Sequence, residues 1–255
     1  MTIDKKTAHE SLELVVETFK GLRAELLESF GNIEHTNKAD KTQVTKLDVK
    51  VEGTLRNVLE DKYPDFGFQG EETGKHGVLE QYWLVDPIDG TSSFIRGLPF
   101  CTNMAALVDD GEVVAAVIYD FVRDDVYSAI KGEGAFLNGS KIEVNNSREA
   151  GNLFLYTLSG LSFETTKLEL RKLGVRSYLP AGAAGFCYMM LAAGRIDGVV
   201  VFDSATAVHD NAPGILIAKE AGAELMRFDG ESGLEVSDFV IGVPKVIEAV
   251  ESVIT

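Results

Sequence analysis

The sequence predicts a layered α/β fold within one unit that spans residues 1–255. Apolar residues at helical spacing over 12–30 predict a long amphipathic helix. Residues 101–129 instead show apolar strand patterns separated by turn signals, which is typical of an antiparallel meander. The second half alternates strands with helices, and no linker or repeat divides the chain. We therefore expect two approximate subdomains, 1–150 and 151–255, that share an interface containing the functional site.

Each remaining element follows from a local signal along the chain. Thr45 is the expected N-cap of a second helix, whose apolar face carries Val51 and Leu55. Residues 82–85 have the aromatic and branched character of a buried strand, and Pro87 is expected to end it. The other predicted elements are strands at 104–108, 113–119, 126–129, 153–158 and 198–202, and helices at 165–173, 186–193, 212–221 and 245–253.

Charge and composition limit the partners that the chain is expected to bind. A formal net charge of −16 disfavours nucleic-acid polymers and anionic membranes, which attract clusters of Lys and Arg. No apolar run approaches the roughly 20 residues needed to cross a bilayer, and no signal-peptide pattern is present. Cys101 and Cys187 have apolar neighbours and form no CxxC pair, which predicts buried free thiols. We expect a cytoplasmic protein that binds a small molecule.

The strongest functional signal is the end of the strand at 82–85, where the sequence continues Asp-Pro-Ile-Asp-Gly-Thr. Asp86, Asp89 and the carbonyl of Ile88 are oxygen donors of the kind that Mg²⁺ prefers. This pattern predicts a metal-assisted phosphate site. An ordinary polar turn with a helix cap has the same composition, so the pattern alone leaves both interpretations open.

Two neighbouring features favour the phosphate site. Gly90, Thr91 and Ser92 are small residues that are expected to begin a helix, where unpaired N–H groups attract phosphate. Upstream, Glu71 and Glu72 add carboxylates within reach after folding. Without the neighbouring motif, both glutamates would be interpreted as solvated loop charges.

Further candidate residues have simple alternatives. Asp48 lies one turn inside the second helix, where interaction with the helix dipole would explain it. The segment 203–210 contains Asp210 at a predicted helix start, where N-capping and metal ligation are compatible roles. His209 has nitrogens that bind metals, but a lone histidine more often packs or forms hydrogen bonds, so we leave it out of the metal set.

These motifs, in this order, resemble the inositol monophosphatase family. The residues that carry the resemblance are 45–48, 70–72, 86–91, 132–139 and the Asp210 helix, so that it covers nearly the whole chain. The resemblance implies the layered α/β/α/β/α sandwich of the inositol monophosphatase and fructose bisphosphatase type. It also implies Mg²⁺ dependence, sensitivity to lithium and a homodimer.

The resemblance also implies metal ligands. Glu71, Asp86 and the Ile88 carbonyl match ligands of a first Mg²⁺, and Asp86, Asp89 and Asp210 match ligands of a second. Glu71 is expected to have a catalytic role as well, since it matches the residue that holds a third, water-rich ion. Two or three Mg²⁺ ions per site are therefore expected.

The same resemblance implies the remaining roles. Asp48 and Thr91 match the pair that orients the attacking water, while the amides of Gly90, Thr91 and Ser92 are expected on the phosphate. One departure is His209, which replaces a tryptophan of the family before the last metal ligand. Substrate-binding positions are matched weakly, and for the acidic one simple solvation is an equal alternative; these positions are Asp203, Ala183 and Ala184.

The implied function is a Mg²⁺-dependent phosphomonoesterase that hydrolyses inositol monophosphate or a related small polyol or sugar phosphate with metal-activated water. Histidinol phosphate, fructose 1,6-bisphosphate and 3′-phosphoadenosine 5′-phosphate stay open as substrates, since pocket loops set selectivity. A non-catalytic family member that binds metal or phosphate is an alternative, which the intact Asp48 and Thr91 disfavour. Haloacid dehalogenase chemistry is disfavoured because its two aspartates are two residues apart, whereas Asp86 and Asp89 are three apart.

Overall fold

Helices alternate with sheets along the chain in the computed structural model, which describes residues 2–39, 42–178, 183–204, 206–228, 230, 233, 234 and 237–254. Ala205, in the predicted acidic segment 203–210, lies outside the described residues. The helices are α1 (Lys5–Ser29), α2 (Lys46–Lys62), α3 (Thr91–Ile95), α4 (Glu164–Lys172), α5 (Ala184–Ala192), α6 (Val208–Glu220) and α7 (Pro244–Ile254). The strands are β1 (His35–Asn37), β2 (Gln43–Thr45), β3 (Gly67–Gly70), β4 (Gly74–His76), β5 (Gln81–Asp89), β6 (Thr102–Asp109), β7 (Glu112–Asp120), β8 (Asp125–Ile130), β9 (Gly134–Leu137), β10 (Ser140–Ile142), β11 (Phe154–Ser159), β12 (Arg176–Tyr178), β13 (Gly198–Phe202), β14 (Glu224–Arg227) and β15 (Phe239–Gly242).

Two large sheets contain most of the strands. The first has the order β10-β9-β8-β7-β6-β5-β3-β4 and is antiparallel except for the β3–β5 pair. Its β6–β8 segment confirms the predicted meander, and the turn between β6 and β7 places Asp110 and Gly111 at φ values of 50° and 77°. The second sheet has the order β12-β11-β13-β15-β14, with parallel pairing of β11 and antiparallel pairing of β15.

The side chains of β5 show how the layers form, because alternate residues point to opposite faces. Trp83 and Val85 pack in the core that contains α1 and α2, whereas Tyr82 and Leu84 pack in the core that contains α5 and α6. Helices α5 and α6 contact both large sheets, and α4 and α7 pack together on the outer face of the second sheet. The predicted α/β/α/β/α sandwich is therefore confirmed.

The prediction that Pro87 ends its strand is wrong. Strand β5 continues to Asp89, and its pairing with β6 shifts by one residue between Asp86 and Asp89. A bulge leaves one residue outside the regular ladder, so a proline without an N–H group is tolerated there. The Pro87 carbonyl instead accepts a hydrogen bond from the side-chain amide of Asn103. The bulge brings both aspartates to the same end of the strand.

The second half contains the predicted strands and helices together with strands that the sequence analysis missed. Helix α6 begins at Val208, so Asp210 is its third residue and not the N-cap, which is Ala207. Strands β12, β14 and β15 have three or four residues each, which is too short to show a clear periodicity. Cys101 and Cys187 are buried free thiols, as predicted. Within the described ranges, every helix is too short or too polar to cross a membrane.

Two glycines with different surroundings, one packed between α5 and α6 and one on α1, predict opposite effects of Gly→Ala substitution on stability. A Cβ atom at Gly214 would lie 2.0 Å from Cδ2 of the buried Tyr188, so Gly214→Ala should lower the free energy of unfolding by about 1–3 kcal/mol. Gly21 lies in α1 with no other atom near the added group, and Gly21→Ala should raise stability by about 0.5–1 kcal/mol. Urea denaturation of both variants measures these changes, and a change of the same sign in both would contradict the packing argument.

Candidate active site

The N-terminus of α2 forms one wall of the site. Thr45 caps the helix with its hydroxyl, which accepts a hydrogen bond from the Leu47 N–H at 3.1 Å. Asp48 completes a capping box, because its Oδ2 accepts from the Thr45 N–H at 2.8 Å and from the Thr45 hydroxyl at 2.6 Å. These bonds fix the carboxylate, and the other oxygen, Oδ1, faces Thr91. Helix capping therefore explains the position of Oδ2 of Asp48 but not the contact that Oδ1 makes with Thr91.

Thr91 links α2 to the bulge of β5. Its hydroxyl lies 2.9 Å from Asp48 Oδ1 and 2.9 Å from the Ile88 carbonyl oxygen, and its single proton can be donated to either acceptor. The lone pairs of the hydroxyl oxygen can then accept a hydrogen bond from a water. Burial raises the pKa of Asp48 above its usual range, although the hydrogen bonds from Thr45 and Thr91 oppose that increase. The pair is thus arranged to take a proton.

Gly90 joins this bulge to α3. It has a left-handed conformation with φ of 81°, and its carbonyl accepts hydrogen bonds from the Ser93 and Phe94 N–H groups. The first N–H groups of the helix, on Thr91 and Ser92, have no acceptor within the helix. Both residues line the same cleft as the carboxylates, which is where an anion would meet them.

Asp86 and Asp89 are almost completely buried at the end of β5. Oδ1 of Asp89 accepts from the Ala184 N–H at 3.0 Å, and Oδ2 accepts from the Gly185 N–H at 2.7 Å and the Thr102 hydroxyl at 3.1 Å. By contrast, Oδ1 of Asp86 has no hydrogen-bond partner among the described residues. A buried carboxylate oxygen without a donor is costly unless a cation or a proton satisfies it.

The carboxyl groups of the site, together with the His209 imidazole, form two sets that can hold metal ions. Oxygens of Asp86, Asp89 and Asp210 lie within 4.8 Å of one another, and so do ligand atoms of Glu71, Asp86 and His209. Burial, together with the charges of neighbouring carboxylates, raises the pKa of Asp86 well above its usual range. Divalent cations fit this arrangement, since a cation would be the positively charged partner that Oδ1 of Asp86 lacks among the described residues.

Lys38 is a residue of this site that the sequence analysis did not identify. Its ammonium group lies 2.7 Å from Oε1 of Glu71 and 2.7 Å from Oε1 of Glu72. Burial opposes the charge of Lys38, but the two hydrogen bonds outweigh it and raise the pKa of this lysine. Burial also raises the pKa of Glu72 to about 7, against the opposing effect of Lys38. The lysine thus neutralises part of the acidic cluster.

Glu52 holds the loop that carries the two glutamates. The carboxylate is buried and accepts hydrogen bonds from the N–H groups of Glu72 and Thr73, both at 2.8 Å. A Cβ atom at Gly70 would lie 2.1 Å from Cδ of Glu52, so this close approach requires a glycine. One sequence signal was available, since Glu52 follows Asp48 by four residues and therefore lies on the same face of α2.

The three weakly matched substrate positions have different surroundings. Ala184 lines a cleft of about 540 Å³ together with Glu71, Asp86 and Thr91. Ala183 is buried at the start of α5, outside the lining of this cleft. Asp203 is also outside that lining, and its Oδ2 accepts a hydrogen bond from the Ser162 hydroxyl at 2.7 Å. Only Ala184 is therefore placed where a substrate in this cleft would touch it.

The sequence profile described as the inositol monophosphatase family matches residues 3–254. The chain belongs to the inositol monophosphatase family. It is 31% identical over 250 residues to Nus factor SuhB of Xylella fastidiosa, covering 89% of this chain and 90% of that protein. It is 31% identical over 260 residues to inositol-1-monophosphatase of Rhizobium meliloti, covering 94% of both. The solved structure of Thermotoga maritima IMPase has a TM-score of 0.84 and 26% identity, covering 96% of this chain and 98% of that one.

Membership of the inositol monophosphatase family confirms the resemblance seen in the sequence, and the Thermotoga structure agrees with the layered fold. The relatives have names of two kinds, one for an enzyme and one for a Nus factor. Family membership therefore supports a phosphatase-like site without deciding the activity of this chain.

Burial of Asp89 predicts how the metal-free protein responds to pH. Burial and the charge of Asp210 raise the pKa of Asp89 to about 7, from an ordinary value of 3.8. The folded state binds the Asp89 proton more tightly than the unfolded state, so this proton stabilises the folded protein. That stabilisation is complete below about pH 4 and is lost as the pH rises to about 7. Relative to Asp89→Asn, wild type should lose on the order of 2 kcal/mol between pH 5 and 8.

Urea denaturation in the presence of a chelator, at both pH values, measures this difference. Asn cannot titrate, so the comparison removes contributions from groups shared by the two proteins. A constant difference between wild type and Asp89→Asn would contradict the assignment of a raised pKa. Saturating Mg²⁺ should restore the stability of wild type at the higher pH, because the cation replaces the lost proton.

Proposed function

We propose that this family member is a Mg²⁺-dependent phosphomonoesterase that hydrolyses inositol monophosphate or a related small polyol or sugar phosphate. The observation that carries the proposal is the 2.9 Å contact between the Thr91 hydroxyl and Asp48, beside two sets of metal-binding groups. A protein that only bound metal or phosphate would not need a buried acid to hold this hydroxyl. Activation of a water molecule would explain why Asp48 and Thr91 are placed together here.

Five groups would hold two or three Mg²⁺ ions in this proposal. They are the side chains of Glu71, Asp86, Asp89 and Asp210 and the carbonyl of Ile88. When bound, these ions supply positive charge to the phosphoryl oxygens and lower the pKa of water. Oδ1 of Asp86 supports this assignment most directly, since it is buried, has no hydrogen-bond partner among the described residues and would be satisfied by a cation.

The chain's own groups provide orientation and proton transfer. Oγ1 of Thr91 accepts a hydrogen bond from the attacking water, while its own proton is directed toward Oδ1 of Asp48. As the water loses its proton to Thr91 Oγ1, the hydroxyl proton of Thr91 moves to Asp48. The N–H groups of Gly90, Thr91 and Ser92 bind the phosphate oxygens. Direct attack by water makes a covalent phosphoenzyme unnecessary.

The lining of the cleft favours a hydroxyl-rich substrate. Apart from the metal-binding groups, it includes the polar side chains of Asn37, Gln43, Arg96 and Thr206. Among the described residues that line it, none is aromatic, so an adenine ring would find no stacking partner. This supports a polyol or sugar phosphate, with histidinol phosphate or fructose 1,6-bisphosphate as alternatives, over 3′-phosphoadenosine 5′-phosphate.

A second candidate is a binding role without turnover. It is favoured by the names of several relatives, which are Nus factors with 28–32% identity to this chain. These names do not support the expectation that the protein has no nucleic-acid partner. The net charge of −16 disfavours direct contact with nucleic-acid phosphates, so a Nus-type role would depend on contacts with other proteins. Homodimerisation and a cytoplasmic location remain predictions.

Phosphate release from the four candidate substrates, with Mg²⁺ and with a chelator, tests the proposal. Thr91→Val keeps the shape but removes the hydroxyl, and it should lower kcat by roughly 10²–10⁴-fold. Thr91→Ser should retain much of the activity. Asp48→Asn should match Thr91→Val, whereas Asp61→Asn, on an exposed residue of the same helix, should leave activity unchanged.

Circular dichroism would establish that each of these variants is folded. Equal activity of Thr91→Val and wild type would exclude the proposed activation of water. Tight Mg²⁺ binding without turnover of any of the four substrates would instead favour the non-catalytic candidate.

The acidic site also leads to a further prediction, that lithium inhibits the proposed activity. Li⁺ is a small hard cation that should compete for carboxylate oxygens and replace a divalent ion without supplying its charge. Activity should therefore fall as LiCl is added at fixed Mg²⁺, and it should stay constant in KCl of equal ionic strength. Equal responses to the two salts would indicate a general ionic-strength effect.

A further inference from the structure

His209 faces the acidic cleft from the first turn of α6. It is the second residue of that helix, and its side chain is 17% exposed. The surrounding side chains include Lys38, Glu71 and Asp210, which line the same cavity. The histidine is thus close to the metal-binding groups, although the sequence analysis excluded it from them.

Hydrogen bonds among the described residues do not explain the position of the His209 ring. Oδ2 of Asp210 lies 4.0 Å from Nε2 of His209, which is beyond hydrogen-bond distance. Among the described residues, neither ring nitrogen has a partner at hydrogen-bond distance. A satisfied hydrogen bond is the usual explanation of a lone histidine, and among the described residues it does not explain His209.

The nitrogen is instead placed with two carboxylates. Ligand atoms of Glu71, Asp86 and His209 lie within 4.8 Å of one another. Two opposite ligands of one ion at typical bond lengths are about 4.2 Å apart, so small side-chain movements would bring all three onto one cation. Asp86 adds an independent observation, because its buried Oδ1 has no hydrogen-bond partner among the described residues.

The two metal-binding sets differ in chemistry. The set of Asp86, Asp89 and Asp210 offers oxygen alone, which suits Mg²⁺. An imidazole nitrogen adds little for Mg²⁺ but strengthens the binding of first-row transition metals, whose affinities for nitrogen ligands are higher. The two sets therefore have different preferences, although they share Asp86.

We propose that Glu71, Asp86 and His209 form a mixed nitrogen–oxygen site that selects a divalent transition-metal ion over Mg²⁺. The inference rests on the proposed function in that both place a metal ion at Glu71 and Asp86, and it assigns that one ion position to a transition metal while Asp86, Asp89 and Asp210 keep Mg²⁺. Lys38 modulates this site, because its ammonium group pairs with Glu71 and repels a bound cation. The arriving ion therefore replaces the lysine as the positive partner of Glu71.

Electron spin-echo spectroscopy of bound Mn²⁺ tests the site directly, because it detects a nitrogen bonded to the metal. The intact protein, freed of metals and of any histidine tag, receives one equivalent of Mn²⁺ in a large excess of Mg²⁺. Wild type should retain the Mn²⁺ and show a coordinated nitrogen. His209→Gln should lose the nitrogen signal and bind Mn²⁺ at least roughly tenfold more weakly, since even outer partners of metal ligands change affinity by about 10–100-fold.

His9→Gln is the matched control, because His9 pairs with Glu133 outside the cleft and its loss should change neither result. Bound Mn²⁺ without a nitrogen signal in wild type would overturn the inference, and Mg²⁺-dependent hydrolysis would be unaffected by that outcome. Displacement of all Mn²⁺ by Mg²⁺ would also overturn it. The proposed function fails by a different result, the absence of Mg²⁺-dependent phosphate release.

Discussion

Repulsion among buried carboxylates is the constraint on which the site depends. Asp86 and Asp89 lie in the interior between two layers of secondary structure, and Glu71 and Asp210 add negative charge beside them. Each carboxylate in such a place needs donors, a proton or a cation. Asp89 has three donors from α5 and β6, whereas Asp86 has an oxygen without any among the described residues. The unbalanced charge is therefore concentrated at Asp86, which both metal-binding sets share.

The need of Asp89 for hydrogen-bond donors connects the first large sheet to the helix layer between the sheets. Asp89 belongs to the first sheet, yet the N–H groups that stabilise it begin α5, which packs between the sheets. Gly185 permits the contact, since a Cβ atom there would lie 2.9 Å from Oδ2 of Asp89. Asp210 and His209 come from α6, the other helix of that layer. The site is thus assembled only when the middle layer is in place.

Sequence reasoning found the residues that act within a short motif. The run of acidic, glycine and hydroxyl residues at 86–91 and the Thr45 cap are local features, so the sequence was sufficient to single them out, although not to predict the bulge. Lys38 and Glu52 were missed because their partners are 20 to 34 residues away in the chain, and only the tertiary fold brings them together. The strand end at Pro87 was predicted wrongly because proline was treated as a terminator, whereas a bulge accommodates it.

His209 shows how a general expectation about one residue type can miss its chemistry in a particular site. We left His209 out of the metal set because a lone histidine more often packs or forms hydrogen bonds, and that interpretation does not use its nitrogen atoms as metal ligands. In the folded protein the His209 side chain shares a cavity with Glu71 and Asp210, whereas the pair that we propose to orient the attacking water, Asp48 and Thr91, is supplied by α2 and α3. In these two proposals, metal preference and the activation of water therefore depend on different elements, α6 for the first and α2 with α3 for the second. A chain can change the first by one substitution and keep the geometry of the second.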